Sequence, residues 1–159
     1  IGLCLVGSEM CIRDRRTFQH HASAQSYSDL LYKNTLYDES RTIFSGLILV
    51  DEGAHQTDAY QTCRNLLMSD TVEANSMPGL EINADQVKCS HGSTSAMIDE
   101  DEIFYLRARG VKPHVARQLV AQGFSVECIS RLKSPELEEL VLGFAAREFH
   151  RISESAVAR

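Results

Sequence analysis

No run of apolar residues in this chain is long enough to cross a bilayer as a helix, so no membrane association is expected. No Gly-x-x-x-x-Gly-Lys-Ser/Thr occurs, so any nucleotide hydrolysis tied to this protein belongs to a partner. Gly-x-Ser-x-Gly and His-Glu-x-x-His are also missing. So are the Asn-Gly and Asp-Gly pairs of tight hairpins, which disfavours a simple meander. Positive charge is in deficit: 16 Lys and Arg stand against 22 Asp and Glu, a formal net charge of −6. That balance argues against a nucleic-acid binder driven by phosphate contacts. The five cysteines are odd in number and irregular in spacing, unlike a secreted disulfide framework. Reduced thiols and a cytoplasmic location are expected.

The 159 residues suffice for one domain with a real core, or for two small layers of different architecture. The segment "LVGSEMCIRD" (Leu5 to Asp14) resembles a translated transposase-type sequencing adapter, and Cys4 and Arg15 fit the flanking bases. A signal peptide fits poorly, because there is no basic n-region and Glu9 interrupts the apolar run. Residues 1–15 are therefore expected to be an adapter-derived, disordered head, and the remainder to begin inside a larger protein. Excluding them leaves the net charge unchanged and leaves Cys63, Cys89 and Cys128.

From Arg16 to about Ile98 the pattern is one of short strands. "RTIFSGLILV", with a bend expected near Ile43, Gly46 and Leu47, is followed by "YQTCRNLLMS", "GLEINA" and "VKCSHGSTSAM", each bounded by turn residues. No helical pattern lies between them. A parallel β-solenoid with polar corners fits, beside sandwiches and open sheets. At Asp99 the period changes. "DEDEIFYLRARG" has Asp99 as N-cap and Glu102 as capping-box partner, and ends at Gly110. "KPHVARQLVAQG" has Pro113 in its first turn and is expected to stop at Gly123. "SPELEELVLGFAAREFHRI" starts at Ser134 and Pro135, with an apolar stripe from Leu137 through Phe144 to Phe149 and Ile152. Residues 99–155 are thus expected to form a helical subdomain.

The segment "KCSHGS" places a thiol, Cys89, and an imidazole, His91, at i and i+2, on one face of a strand. Two ligands do not close a metal site; a structural zinc needs four and a catalytic zinc three plus water. From the residues alone, a packed thiol at Cys89 and a surface histidine at His91 are the first expectation. In a solenoid, stacked positions lie about 4.8 Å apart, so Cys63 in "QTCRNLLMS" could approach His91. His20, His21 and His55 lack partner spacing and read as solvated, and Cys128 reads as packing. The acidic run from Asp99 to Glu102 reads as a solvated helix start favoured by the dipole.

The block "LEINADQVKCSHGSTSAMIDEDEIFYLRARGV" (Leu80 to Val111), with "RTIFSGLILV", "TDAYQTCRNLLMS" and "VARQLVAQGF" in the same order, resembles the SufB/SufD family of the SUF iron–sulfur assembly machinery, on its SufD side. The resemblance runs from Arg16 to about Leu132. It implies a fold that is mainly β with α: the last coils of a right-handed parallel β-helix over residues 16–98, then the C-terminal helical subdomain. It implies a non-enzymatic scaffold that pairs with a SufB-like paralogue and docks a SufC-like ATPase. The group it handles is a transient iron–sulfur cluster shared with the partner; no residue here bears on a flavin requirement. His91 matches the histidine of the family's "CSHG" motif, implicated in forming the nascent cluster and a candidate transient iron ligand. Cys63 matches the place of an essential cysteine on the SufB side, and Cys89 completes the candidate set. The competing expectations are a β-solenoid metal-dependent enzyme using Cys89 and His91, and a purely structural interaction module.

Overall fold

The structure, a computed structural model, describes residues 2–6 and 12–157. Its strands are β1 (Gly2–Val6), β2 (Ile12–His21), β3 (Tyr27–Leu36), β4 (Arg41–Val50), β5 (Asp58–Leu67), β6 (Glu73–Ile82) and β7 (Lys88–Met97). The helices are α1 (Glu100–Ala108), α2 (Pro113–Ser130) and α3 (Pro135–Val157). All strand pairing is parallel, in two sheets of order β1-β3-β5-β7 and β2-β4-β6. The chain alternates between the sheets, so each layer but the last holds one strand of each.

Period-two burial decides which side chains face inward. In β4, Thr42, Phe44, Gly46, Ile48 and Val50 are buried, and the residues between them are half-exposed. The two sheets face one another across this interior. The Tyr32 and Phe44 rings lie 5.3 Å apart, centroid to centroid, and Gln19 Nε2 donates to Ser28 Oγ at 2.7 Å. Register is held at the corners. Gln25, Gln56 and Gln86 each adopt positive φ, two residues before β3, β5 and β7. That conformation is uncommon for a residue with a side chain. Its repetition keeps successive turns superposable, and Gln25 Nε2 donates to Gln56 Oε1 at 3.0 Å.

Three expectations need correction. Gly46 marks no bend, for β4 runs straight through it; its missing Cβ instead makes room for a facing side chain. Residues 1–15 do not stand apart where they are described. Gly2–Val6 pairs with β3, and residues 12–15 begin β2, where the Arg13 carbonyl accepts from Thr42 Oγ1 at 3.1 Å. An exposed sheet edge offers unpaired backbone groups to any β-competent segment. Residues 1 and 7–11 lie outside the described residues. Finally, α2 does not end at Gly123 but continues to Ser130. A glycine inside a helix costs roughly 1 kcal/mol, and packing overrides it: Ala121, Ser125, Cys128 and Ile129 are buried along this stretch.

The other helix boundaries follow local chemistry. The Asp99 side chain accepts from the Asp101 amide, Gly110 closes α1 at positive φ, and Pro113 opens α2. The helices pack against the strand ends through Leu66, Met68, Ile98, Ile103, Ala116, Ala121 and Phe149. Helix α2 also reaches the outer face of β3. There the buried Lys33 donates to the Phe124 carbonyl at 2.7 Å and pairs with Glu127 at 2.6 Å.

Candidate functional site

The candidate residues lie on the last two strands of the four-stranded sheet. Register pairs Ala59 with Cys89, Gln61 with His91, Cys63 with Ser93 and Asn65 with Ser95. Since Ala59, Gln61, Cys63 and Asn65 are the buried, inward positions of β5, their partners on β7 share that face. Among the described residues no strand follows β7 in its sheet or β6 in the other. The inward face of β7 is therefore open to solvent: His91, Ser93 and Ser95 are exposed.

This register corrects the expected approach of Cys63 to His91. His91 stacks on Gln61, while Cys63 lies one layer deeper and two positions along the strand. Cys63 is fully buried in a polar pocket. Its Sγ accepts from Asn34 Nδ2 and Ser76 Oγ and donates to Asn65 Oδ1, each at 3.7 Å. Burial pushes the thiol pKa up, against the opposing pull of the Ser76, Asn65 and Asn34 hydrogen bonds. It is a protonated, sheltered thiol at neutral pH, a poor nucleophile as it stands. The surrounding amides form a ladder through three layers: Asn34 Nδ2 donates to Asn65 Oδ1 at 2.7 Å, and Asn65 Nδ2 to Ser95 Oγ at 3.0 Å.

Cys89 is half-buried and packs beside Ile48, Val50, Ala54 and Ala59. Burial raises its pKa as well, with a hydrogen bond from the Ala59 backbone opposing and the Asp58 charge reinforcing the rise. His91 is the exposed member of the three. Its imidazole stands at the open end with an accessible nitrogen, competent to bind iron or to accept a proton. Among the described residues no group of three or more His, Cys, Asp or Glu is placed to hold a metal ion. Any ligand set containing His91 must be completed from outside these residues.

Sequence reasoning missed Gln61, Asn34, Asn65 and Ser76, which line the interior beside these residues. The expectation of a solvated His21 is corrected as well. His21 is buried, with Nδ1 2.7 Å from Ser26 Oγ and Nε2 2.8 Å from Ser28 Oγ. His20, next to it, is paired with Asp51 at 2.7 Å. The repeated corner glutamines were the available signal, since aligning Gln56 with Gln86 places Gln61 opposite His91. Cys128 is buried in α2, as expected of a packing thiol. Among the described residues no helix is long and apolar enough to cross a membrane.

Comparison with known proteins agrees with the motifs. The family model described as "SUF system FeS cluster assembly, SufBD core domain" matches residues 2–124. The chain is 41% identical over 137 residues to the iron–sulfur cluster assembly protein SufD of Escherichia coli K12, covering 86% of this chain and 32% of that protein. It is 39% identical over 108 residues to a SufBD family protein of Synechocystis, covering 68% of this chain and 24% of that one. A Mycobacterium leprae SufBD family protein is 33% identical over 150 residues, covering 89% and 38%. The chain thus spans about a third of the length of these relatives. Matched by the core model through both sheets and into α2, it belongs to the SufB/SufD family of iron–sulfur cluster assembly proteins, on its SufD-like side.

Proposed function

We propose that this chain is the C-terminal part of a non-enzymatic scaffold for SUF iron–sulfur cluster assembly. In this reading the stacked strands are the last coils of a right-handed parallel β-helix. The support is the strictly parallel alternation between two sheets, together with the right-handed rule for parallel crossovers. A SufB-like paralogue covers the open end, and the nascent cluster forms there with His91 as a ligand or proton acceptor. The helices dock a SufC-like ATPase.

The observation that carries the reading is the position of His91, exposed on the inward face of the terminal strand. A ten-residue strand with one edge unpaired among the described residues is a template for another chain. A ligand standing on that template is incomplete until the partner arrives. An incomplete set suits a transient site, because the cluster can leave when the partners separate. Thiolate and imidazole both bind iron or clusters. Cys89 stands beside His91 on the same strand, half-buried, while Cys63 lies a layer deeper, reachable only if the end rearranges. The docking role rests on helix α3, whose Leu137, Leu140 and Phe144 are about half exposed on an otherwise amphipathic stripe.

The test is His91→Ala in the full-length protein. A partly exposed side chain away from special features changes stability by about 0.5 kcal/mol or less. The variant is expected to fold and keep its partners. Its purified complex is expected to lack the iron and sulfide of the wild type. Normal cluster content would remove His91 from the site.

A further inference from the structure

Gln61 is 1% exposed, and neither Oε1 nor Nε2 of its amide has a hydrogen-bond partner. A buried amide left unsatisfied is costly and calls for a role. The amide extends across the interior to Gly46 on the facing strand, where an added Cβ would collide with Cδ, Oε1 and Nε2. Register then determines what lies in the adjoining layers. Gly46 pairs with Thr17 on one side and Pro78 on the other, and Gln61 pairs with Leu30 and His91. Pro78 carries no N–H and Leu30 no polar side-chain atom. Directly above and below the amide, the polar side chains are therefore Thr17 and His91. The Thr17 hydroxyl is itself buried without a partner and so serves neither end of the amide.

We propose that Gln61 is a positioning residue for His91. When a paralogue covers the open end and removes water from His91, the imidazole turns inward over the Gln61 amide. Oε1 accepts a hydrogen bond from one ring N–H. That fixes the tautomer and leaves the lone pair of the other nitrogen aimed at iron or cluster. A ligating histidine commonly donates its second N–H to a carbonyl or carboxylate, and this outer contact orients the ring. Here the acceptor is a neutral amide, which adds no negative charge to retain the metal and suits a ligand that must let go. Gly46 belongs to the same device, because any side chain there would displace the amide. The inference rests on the cluster-site reading of His91 given above.

The experiment compares Gln61→Met and Gln61→Leu with His91→Ala in the full-length protein, paired with its paralogue and ATPase. Both Gln61 variants keep an apolar side chain of similar length and remove the amide. They are expected to melt no lower than the wild type and to keep the partner. In the paired complex, ring-nitrogen NMR of His91 should change from one tautomer to a mixture, and iron and acid-labile sulfide should fall about tenfold. A purely structural role would lower the melting temperature without moving the ring signals. If the folded Gln61 variants keep wild-type ring signals and cluster content while His91→Ala loses its cluster, the inference is wrong and the His91 reading stands. If His91→Ala assembles clusters normally, the underlying reading fails and the inference with it.

Discussion

The Lys33 ammonium lies 2.6 Å from the Glu127 carboxylate and is itself almost wholly out of solvent, with only 4% of its side chain exposed. It also stands 4.3 Å over the Phe124 ring and donates to the Phe124 carbonyl, so one cation ties α2 to β3. The Lys33 hydrogen bond is the main cause that holds the Glu127 pKa below its ordinary value; Arg64 and Arg131 add to it.

Removing the exposed carboxylate alone, which leaves the buried ammonium unpaired, should cost more than removing both charges. Glu127→Ala strands the buried ammonium and is expected to cost about 2 kcal/mol, between the values for exposed and fully buried pairs. Lys33→Met keeps the stem and should cost about 1 kcal/mol or less. The double variant should resemble Lys33→Met alone in urea unfolding; simple additivity would contradict the pairing. Because the Glu127 pKa is depressed in the fold, its contribution is present above the ordinary value of 4.5 and is lost as pH falls through the folded value.

His21 supplies a second pH dependence at milder acidity. Burial first, and neighbouring His20 second, push its pKa below 6.5. The folded ring stays neutral between Ser26 and Ser28, while the unfolded ring takes up a proton. Stability is therefore full above pH 6.5 and declines as pH falls through the folded value. The slope should approach, but not exceed, about 1.4 kcal/mol per pH unit for this single group. Denaturant melts of wild type and His21→Leu from pH 7 to about 5.5 should show the slope reduced in the variant. Equal slopes would assign the effect to another group.

Gly46→Ala should be destabilising although the φ at this position is ordinary. The added methyl meets the Gln61 amide in a closed interior, and overpacking of this kind costs about 1–3 kcal/mol. Shortening Gln61 to Ala in the same chain should recover at least part of that loss in thermal unfolding. If Gly46→Ala is as stable as wild type, the two side chains do not meet as described.

Helix α3 offers a contrast between two phenylalanines. Phe149 is 2% exposed in the helical core, and Phe149→Ala should cost about 3–5 kcal/mol. Phe144 is 56% exposed, with Arg147 over its ring, and its replacement by Ala should change stability by about 0.5 kcal/mol or less. If this face docks the ATPase, Phe144→Ala should weaken capture of the ATPase by the full-length protein. Unchanged capture would move the docking surface elsewhere.

Much of the fold was legible because it is written locally. Asp99, Gly110, Pro113 and Ser134 mark helix ends through caps and fixed dihedrals that depend on a few neighbouring residues. The switch from strand to helix at Asp99, the thiol and imidazole of "KCSHGS" and the family-specific block around them likewise needed no contacts to be read. Gly123 shows where local reading stops: a helix-ending residue lies mid-helix because α2 is held against β3 and the helical core.

The environment of His91 is settled by the pairing of distant strands. Whether Gln61 or Cys63 stands beside it depends on how many residues each corner consumes. A shift of one residue would turn every inward side chain outward. The corner glutamines at positive φ set that count, and the pairing they permit buries Cys63, strands the Gln61 amide and leaves His91 at the rim. The same long-range pairing encloses His21 between two serines instead of leaving it to water. Which chemical groups the chain carries, and where its helices start, follows from the order of residues. Only the stacking of distant strands decided which of those groups meet, because register is a property of two segments and not of either one.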